Sequence, residues 1–548
     1  EGSVVFDLRA LQKPGKIKFK IIAEKDTSRT VSEFELSNRP PRPSRTFSGS
    51  GRVTSDSTVE FTIPTNLVEG TDSYVIQTSS LAGMQFSGQL QFLLSYPYGC
   101  LEQTVSKLFP MLYFSELARF TMPELIGSRG HDYFINEGIL KISGMIRPDG
   151  SFSFWPGGDE VNLWTSVYAT HFLVEARQRG YRIDSKVYDQ ALDQVENLVY
   201  GSDASERVLP VKVYASYVLA LSERHGNKLR NRLDDIPIDD LPGYSRYMLA
   251  TAFYLVGDED KALRLIPTMI QPPVFERQSG NNLSSPLRST AIMLEAMNRI
   301  NPDHPASAAL AQKLIEASLE NRYYTTQETA FALLALGKYL AGQDVPDFTG
   351  TLEIEGDTTY TFNSKRFKLS RNNLYDKTIK IDIEGHGPCF YYWQASGIPE
   401  DRPANEYSHG IEITRRYFNQ SGSQLDLDSV PLGDRVVCKL SARAVAGPLE
   451  NVVINDMLPA GLEIENPRIK SGPRFSWIPR QQDKYDYLDI RDDRLLIFTD
   501  LRKNQTFEYY YTLRAVSRGE FTVPPVMSEC MYDPLKAASS SAGMINIK

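Results

Sequence analysis

Apolar residues alternate with polar ones over the first 80 residues of the chain, and glycine and proline interrupt this pattern often. The segment KIKFKIIA is one such run, and in STVEFTIP the side chains of Val59, Phe61 and Ile63 share one face at a period of two. A period of two is typical of a β-strand with one buried face. The proline-rich segment NRPPRPSRTFSGSG separates the two runs. The pattern therefore predicts strands on either side of a linker.

From about residue 81 to about residue 342 the apolar positions recur at the spacing of an α-helix. In VKVYASYVLALSERHG they fall at offsets 0, 3, 4, 7 and 8, and Gly226 is the predicted end of the helix. A similar stripe in LWTSVYATHFLVEA ends at Gly180, and Thr325 with Glu328 fits a capping box at the start of another helix. About ten to twelve such helices would form an all-α domain of roughly 260 residues, arranged as layered hairpins or as a toroid.

Strand patterns return after the helices. TIKIDIEG places Ile379, Ile381 and Ile383 on one face, DRVVCKLSARA alternates over residues 436–442, and TFEYYYTLRAV alternates over residues 507–515. The last part of the chain therefore predicts a β-sandwich of about seven strands. The β segments that flank the helices are each too short for a stable sheet, so we expect them to pair with each other. The predicted fold class is multidomain α+β, with an all-α domain inserted in a β-domain and a further β-sandwich behind it.

Composition excludes several classes of function. Lys and Arg total 60 against 68 Asp and Glu, a net charge of −8 without long runs of one sign, so we expect no nucleic acid partner. The sequence has no apolar stretch of the roughly 18 residues that span a bilayer. It opens on EGSVVFDLRALQ, without an initiator Met or a signal peptide, and we expect it to begin inside a longer protein.

The four cysteines are far apart in the sequence. They are Cys100, Cys389, Cys438 and Cys530, and none forms a CxxC pair. Zinc and thioredoxin-like sites therefore have no support, and we expect no metal or cofactor. A disulfide between Cys438 and Cys530, which both lie in the last segment, stays open for an oxidising compartment.

Cys100 and Gln103 stand three residues apart in YPYGCLEQT. If this segment turns as the start of a helix, the two side chains share a face, and the thiolate can attack the carboxamide carbon and expel ammonia. The product is an internal thioester. Gly99 would let the backbone turn tightly, and the helix N-terminus would offer N–H groups to the oxyanion. An ordinary buried cysteine is the usual meaning of a bare C-x-x-Q, so the spacing alone permits the ring without requiring it.

A thioester acylates amines and hydroxyls through the Gln103 acyl group and releases Cys100 as a thiol. Water destroys it unless aromatic or aliphatic side chains exclude solvent. Tyr96 and Tyr98, just upstream, are candidates for that wall.

The segment YPYGCLEQT resembles the G-C-x-E-Q-T signature of the thioester domain in the alpha-2-macroglobulin and complement superfamily, in the form found in bacterial alpha-2-macroglobulins. DGSFSFWPGGDEVNLWTSVYATHFLVEA resembles the helical segment that follows the thioester in this family. GIEITRRYF, INDMLPAGLEIENP, RAVSRGEFTVPP and ECMYDP resemble its terminal macroglobulin-like domain. The resemblance covers most of the chain and is least specific over the first 80 residues.

The resemblance implies an α/α-toroid thioester domain inserted in a CUB β-sandwich and followed by a fibronectin-like macroglobulin β-sandwich. The implied domains are the end of a macroglobulin-like β-domain (1–40), the first part of the CUB domain (41–82), the helical thioester domain (83–344), the second part of the CUB domain (345–400) and the C-terminal macroglobulin-like domain (401–548).

The resemblance also implies roles for single residues. Cys100 and Gln103 would be the linked pair. Tyr96 and Met531 would shield the thioester bond from water, and Tyr98 and Tyr532 are further candidates for this role. Gly99 and Glu102 would support the motif. Complement proteins of the family direct the acyl group to hydroxyls with a histidine. The histidines of the helical region, which are His131, His171, His225 and His304, match no such motif. We therefore expect attack by protein amines, chiefly lysines.

The function implied by the resemblance is broad-spectrum protease inhibition by a single-use reagent, not an enzyme. A target protease would cut a bait region, and the conformational change would expose the thioester, which then acylates the protease. The resemblance implies a periplasmic monomer, lipid-anchored to the inner membrane through a missing N-terminal segment, with a penicillin-binding protein as a possible partner.

Two other functions remain open. An α/α-toroid polysaccharide lyase or hydrolase would need acid and base residues in the toroid cleft, and no such set stands out in the sequence. A cysteine hydrolase that uses Cys100 would need an activating histidine. Neither gives Gln103 a role.

Overall fold

The computed structural model describes the chain from residue 4 to residue 548. Residues outside the description are 5, 7, 11–13, 39–43, 56, 65, 81–85, 116–117, 119–128, 203–204, 206–207, 225–226, 268–276, 320–323, 341–346, 366, 401–405 and 466–474. Within the described residues the chain forms 22 strands and 12 α-helices.

The first two strands form a hairpin. β1 (Gly15–Lys25) pairs with β2 (Ser28–Asn38) in antiparallel register, and Asp26 in the turn has a positive φ of 52°. Phe19 and Phe34, which face each other across the pair, stack with 5.2 Å between ring centroids. The strand predicted from KIKFKIIA is confirmed.

The next β-structure is a two-sheet sandwich, here called the split sandwich. Its strands are β3 (Arg45–Val53), β4 (Val59–Thr62) and β5 (Ser73–Ser79) before the helices, and β6 (Asp347–Ile354), β7 (Tyr360–Asn363), β8 (Phe367–Arg371), β9 (Thr378–His386) and β10 (Cys389–Gly397) after them. The sheet orders are β3-β10-β5-β8 and β4-β9-β6-β7. Ile76, Leu352 and Ile381 meet in the core between the sheets. Both sheets thus mix strands from either side of the helices, which confirms the predicted insertion.

The helices form a closed ring. Their bounds are α1 (Ser87–Ser95), α2 (Leu101–Leu108), α3 (Gly130–Ser143), α4 (Leu163–Gln178), α5 (Ser185–Tyr200), α6 (Leu209–Leu221), α7 (Asn227–Asp234), α8 (Gly243–Leu255), α9 (Glu259–Leu265), α10 (Pro286–Ile300), α11 (Pro305–Leu319) and α12 (Thr326–Leu340). The even-numbered helices contact one another in sequence, and α12 contacts α2, while α3, α5, α9 and α11 pack outside. This helical ring is an α/α toroid, as expected.

One of the two helix ends predicted from glycines is confirmed and the other is wrong. Gly180, just after α4, has a positive φ of 88° and ends that helix as predicted. The predicted end of α6 at Gly226 is wrong, because the helix ends at Leu221 and Glu223 adopts the left-handed conformation with φ 58°. Gly226 and His225 lie outside the described residues.

The start of α12 has the predicted capping box. The Glu328 N–H donates to Thr325 Oγ1 at 3.2 Å, and the Thr325 N–H donates to Glu328 Oε2 at 2.9 Å. Two backbone donors at the helix start are thereby satisfied. The cap fixes the first turn of a helix that lies beside α2 in the ring.

The last part of the chain is a second sandwich, here called the C-terminal sandwich. Its strands are β11 (Tyr407–His409), β12 (Ile411–Phe418), β13 (Arg435–Ala444), β14 (Leu449–Met457), β15 (Leu462–Ile464), β16 (Tyr487–Ile490), β17 (Arg494–Leu501), β18 (Thr506–Ala515), β19 (Gly519–Val523), β20 (Val526–Cys530), β21 (Asp533–Ser539) and β22 (Gly543–Ile547). Sheets of order β11-β21-β20-β14-β17-β16 and β12-β13-β18-β15 enclose one apolar core. The predicted number of about seven strands is too low, since strands of three or four residues such as β11, β15 and β16 show no alternation.

All four cysteines are buried free thiols, so the open question of a Cys438–Cys530 disulfide is answered against it. The Cys438 thiol contacts Asp456 inside the C-terminal sandwich, and the Cys530 thiol donates to the Glu450 carbonyl. Within the described part of the chain, none of the helices combines the length and the apolar character that a membrane crossing needs.

Candidate functional site

Cys100 is the residue that caps the N-terminus of α2. Its backbone is extended (φ −66°, ψ 172°), and the N–H of Gln103 donates to Cys100 Sγ at 3.5 Å. The Gln103 side chain turns back, and its Oε1 accepts the Cys100 N–H at 3.2 Å. This is a capping box in which a thiol and a carboxamide replace the usual hydroxyl and carboxylate. The structure therefore brings the two predicted reactive groups together at the end of one helix.

The bond to Gln103 Oε1 has a chemical consequence. If the sulfur attacked the carboxamide carbon, negative charge would develop on this oxygen, which accepts the Cys100 N–H. Cys100 and Gln103 are both completely buried. The Cys100 N–H at the start of the helix thus lies where the sequence predicted a donor to the oxyanion.

A cluster of apolar side chains from the helical ring and the C-terminal sandwich covers Cys100. The members of this interdomain cluster are Tyr98, Cys100, Phe154, Trp155, Leu283, Val453, Leu496, Phe498, Met531 and Tyr532. Met531, in the turn between β20 and β21, accepts the Gln103 Nε2–H at its Sδ at 3.3 Å. The Tyr98 ring meets Phe498 edge-on at 5.2 Å. Tyr96 is half-buried at the edge of the cluster, with its ring 5.3 Å from that of Tyr98.

Sequence reasoning missed six members of this cluster, which are Phe154, Trp155, Leu283, Val453, Leu496 and Phe498. The Trp155 ring stacks on Tyr487 at 4.8 Å and lies 4.3 Å from Phe498, so it joins the helical ring to β16 and β17. Leu283 is buried and holds a left-handed backbone with φ 51°, which is strained for a bulky side chain. Trp155 lies in a segment that the sequence marked only by its family resemblance, and no pattern marks Leu283.

Glu102 is a fully buried carboxylate next to the reactive pair. It accepts hydrogen bonds from Ser106 Oγ at 2.5 Å, from Thr326 Oγ1 at 2.7 Å and from Tyr532 Oη at 2.8 Å. Burial raises the pKa of Glu102 above its ordinary value, although the three donors oppose the shift. The motif residue Glu102 thus joins α2, α12 and the C-terminal sandwich.

Tyr532 contacts both Glu102 and the sulfur. Its hydroxyl lies 3.7 Å from Cys100 Sγ, within the range of hydrogen bonds to sulfur. Burial, and next the neighbouring Glu102 carboxylate, raise the pKa of the Cys100 thiol to about 12. The thiol therefore remains protonated at neutral pH.

Two lysines lie close to the motif. Lys107 Nζ donates to the Tyr96 carbonyl at 2.6 Å, and burial lowers its pKa to about 8. A Cβ atom at Gly99 would lie 2.7 Å from Lys141 Nζ. Gly99 is not among the glycines with a positive φ. The backbone at Gly99 therefore does not need a glycine for its φ, and the contact with the flexible end of Lys141 does not require one either.

Polar contacts hold the C-terminal sandwich against the helical ring around the cluster. Asn451 Nδ2 donates to the Ser279 carbonyl at 2.7 Å, and an Arg491 amine donates to the Pro97 carbonyl at 3.1 Å. The Glu450 N–H donates to Ser279 Oγ at 3.2 Å. The site is therefore closed only while the two parts are docked.

Like charges also meet at this interface. Burial, and next the neighbouring Glu160 and Asp500 carboxylates, raise the pKa of Asp486 to about 7, while Lys484 opposes the shift. Glu160 belongs to the helical ring and Asp486 and Asp500 to the C-terminal sandwich. Docking thus brings carboxylates of the two parts together.

The centre of the helical ring holds a second buried polar cluster. His171, Glu175 and Glu295 present ligand atoms within 4.8 Å of one another, which is close enough for a metal ion. Lys338 Nζ, however, lies 2.7 Å from Glu175 and 2.6 Å from Glu295. Burial alone would raise the pKa of Glu175, but the Lys338 ammonium holds it below its ordinary value. An ammonium therefore takes the place of a metal between the carboxylates.

Two family models match this sequence. The model for the A-macroglobulin TED domain matches residues 74–196, and that for the bacterial alpha-2-macroglobulin MG10 domain matches residues 410–534. The chain is 25% identical to an alpha-2-macroglobulin of Escherichia coli over 82% of its length and 25% identical to one of Xylella fastidiosa over 96%. These matches support the C-terminal region of a bacterial alpha-2-macroglobulin.

The alpha-2-macroglobulin relatives are much longer proteins. The chain spans 28% of the Escherichia coli protein and 34% of the Xylella fastidiosa protein, or about a third of their length. Its fold is that of the native Escherichia coli alpha-2-macroglobulin from domain MG7 to the C-terminus, with a TM-score of 0.80 at 23% identity over 98% of this chain and 88% of that one. Salmonella alpha-2-macroglobulin reacted with methylamine matches with a TM-score of 0.81 at 23% identity, over 98% of this chain and 36% of that one.

Proposed function

We propose that this chain is the reactive part of a protease inhibitor, in which Cys100 and Gln103 form an internal thioester that acylates an attacking protease. The observation that carries the proposal is the reciprocal contact of the two side chains at the N-terminus of α2, inside a dry cluster. In this thioester the Gln103 acyl carbon is the electrophile and Cys100 is the leaving group, so each molecule reacts once.

The trigger in this proposal is loss of docking. The interdomain cluster takes Met531, Tyr532 and Phe498 from the C-terminal sandwich, so separation of that sandwich from the helical ring would uncover the bond. A cleavage in a bait region of the longer protein would cause the separation. Lysine amines of the protease, which are the commonest surface amines, would be the acceptors.

Further parts of the proposal concern the longer protein. We place it in the periplasm, as a monomer anchored to the inner membrane by a lipid, in defence against foreign proteases and with a penicillin-binding protein as a partner. We assign the split sandwich to the CUB domain of the family. These assignments rest on the family resemblance.

The two enzymatic alternatives fit the site less well. A cysteine hydrolase needs a histidine that lowers the thiol pKa, yet the hydrogen-bond partners that the described residues offer to the Cys100 sulfur are Gln103 and Tyr532. A polysaccharide lyase or hydrolase finds its acid and base candidates in His171, Glu175 and Glu295, but these are at most 10% exposed, and the two carboxylates are paired with Lys338. A polymer substrate has no access to them.

Isotopically labelled methylamine tests the proposal at residue level. The account predicts one label per chain, located by tandem mass spectrometry on the side chain of residue 103, together with one new thiol at Cys100. Cys100→Ala and Gln103→Glu should each abolish the labelling. Label that persists in Cys100→Ala, or that appears on another residue, contradicts the proposal.

The acceptor is tested with the full-length protein and a serine protease. We expect a covalent conjugate with the unmodified protease and none with the same protease after reductive methylation of its lysines. Equal conjugation of both preparations would exclude lysine as the acceptor.

A further inference from the structure

The closure of the thioester ring needs a proton acceptor, and the geometry around the sulfur offers one. Before closure the Cys100 thiol is protonated, and a neutral thiol is a weak nucleophile toward an amide. The interdomain cluster buries the sulfur, so bulk water does not reach it. The base must therefore be a side chain of the site.

We propose that Tyr532 and Glu102 form a proton relay that closes the ring, and that closure therefore waits until the C-terminal sandwich docks on the helical ring. This inference rests on the proposed function. It adds a catalytic residue, Tyr532, and a residue that acts through it, Glu102, to the step that makes the electrophile.

The hydrogen bonds fix the direction of the relay. The Tyr532 hydroxyl donates its one proton to Glu102 Oε2 at 2.8 Å, because a carboxylate only accepts. Its oxygen is then free to accept the thiol proton of Cys100 across 3.7 Å. Ser106 and Thr326 hold the Glu102 carboxylate in place from the other side.

The step balances in atoms and protons. The thiol proton passes to the Tyr532 oxygen while the tyrosine proton passes to Glu102, and the bond from Cys100 Sγ to the Gln103 amide carbon forms. When the tetrahedral intermediate collapses, the bond from that carbon to Nε2 breaks, and the proton returns through Tyr532 to the departing nitrogen. Ammonia leaves, and the Tyr532 hydroxyl and the Glu102 carboxylate are restored.

The relay spans two parts of the molecule. Cys100 and Glu102 lie at the start of α2, whereas Tyr532 lies in the turn between β20 and β21. The undocked helical ring has the nucleophile and the carboxylate without the hydroxyl that joins them. The same turn carries Met531, which contacts Gln103. The thioester bond therefore forms only when the turn that carries Met531 and Tyr532 already shields it from water.

Tyr532→Phe and Glu102→Gln test the relay with small changes of shape. Protein is made in a cell-free reaction, and the fraction lighter by one ammonia (~17 Da) is followed over time by intact mass. We expect closure to be about 100-fold slower in each variant, the usual size of general acid–base assistance. Tyr485→Phe and Glu529→Gln, which change a tyrosine and a carboxylate of the same sandwich, should close at the rate of the unchanged protein.

The lifetime of the closed ring distinguishes a role of Tyr532 and Glu102 in the relay from a merely structural role. Loss of cover shortens the lifetime in ammonia-free buffer, whereas loss of the relay slows closure and leaves the lifetime unchanged. If the variants fail to fold, the rate of ring closure in the unchanged protein is compared in H₂O and D₂O instead. We expect closure to be about twofold slower in D₂O.

The outcomes distinguish this inference from the proposed function. If the unchanged protein never forms the lighter species, the proposed function fails. If it forms and the folded variants close at the same rate, or if closure has no isotope effect, the relay alone is overturned. A shortened lifetime with unchanged closure would assign Tyr532 and Glu102 to cover only.

Discussion

At the scale of single residues, the site depends on a balance between reactivity and exclusion of water. The Gln103 side chain is positioned by two hydrogen bonds, one that its Oε1 accepts from the Cys100 N–H and one that its Nε2–H donates to Met531 Sδ. Met531 is 4% exposed and touches the group that it covers. A single side chain can therefore change the lifetime of the bond without changing the chemistry.

Met531→Ala should shorten the lifetime of the thioester in amine-free buffer by about tenfold, since the truncation opens a path for water to the Gln103 carbon. Tyr96→Gly should act in the same direction. The measurement is the rate of thiol release, followed with a chromogenic thiol reagent. Met544→Ala, which changes an exposed methionine of the same sandwich, is the control. Equal lifetimes in all four proteins would remove the role of Met531 and Tyr96 as cover.

At the scale of elements, α2 connects the reactive pair to the core of the toroid. The helix begins at the site and packs against α4 and α12, whose buried ion pairs lie deeper in the ring. Lys338 on α12 compensates Glu175 on α4 and Glu295 on α10. The position of α2 therefore depends on charges that take no part in its chemistry.

Lys338→Met should lower the free energy of unfolding by about 3–5 kcal/mol, because it leaves two buried carboxylates without their cation. Chemical denaturation followed by circular dichroism measures the change. Lys186→Met, at an exposed helix position, is the control and should have little effect. A loss below about 1 kcal/mol for Lys338→Met would show that the carboxylates are compensated in another way.

The elements were more predictable from the sequence than the site's surroundings. Alternation predicted β9, β13 and β18, and the C-x-x-Q spacing predicted that the Cys100 and Gln103 side chains lie together, because these signals are local. Trp155, Leu283 and Lys338 were not predicted, since their roles come from contacts with residues more than 100 positions away. No periodicity carries that information.

At the scale of the whole molecule, docking of the C-terminal sandwich decides whether the site is closed. The interface combines an apolar cluster with polar contacts and with the carboxylates of Glu160, Asp486 and Asp500. Like charges at the interface make its stability sensitive to pH and to ionic strength.

The interface should weaken as pH rises through neutrality. The pKa of Asp486 is about 7 in the folded, docked protein and near 4 in the unfolded chain, so folding and docking together take up a proton between these values. Stability from this group is therefore present at low pH and is lost as pH rises toward 7 and above. After allowance for solvent screening we expect a loss of about 1 kcal/mol between pH 5 and pH 8.

Thermal unfolding between pH 5 and pH 8 measures this dependence. Asp486→Asn should flatten the profile, while Asp428→Asn, which changes an exposed carboxylate of the same sandwich, should leave it as it was. A profile that Asp486→Asn does not alter would assign the pH dependence to other groups.

The central claim is that Cys100 and Gln103 close a thioester, and the intact mass of the untreated protein tests it most directly. The account predicts a mass lower than the sequence mass by one ammonia (~17 Da), no reactive thiol at Cys100, and recovery of one thiol with a gain of methylamine mass after treatment. The full sequence mass, with Gln103 unmodified and Cys100 titratable from the start, would contradict it.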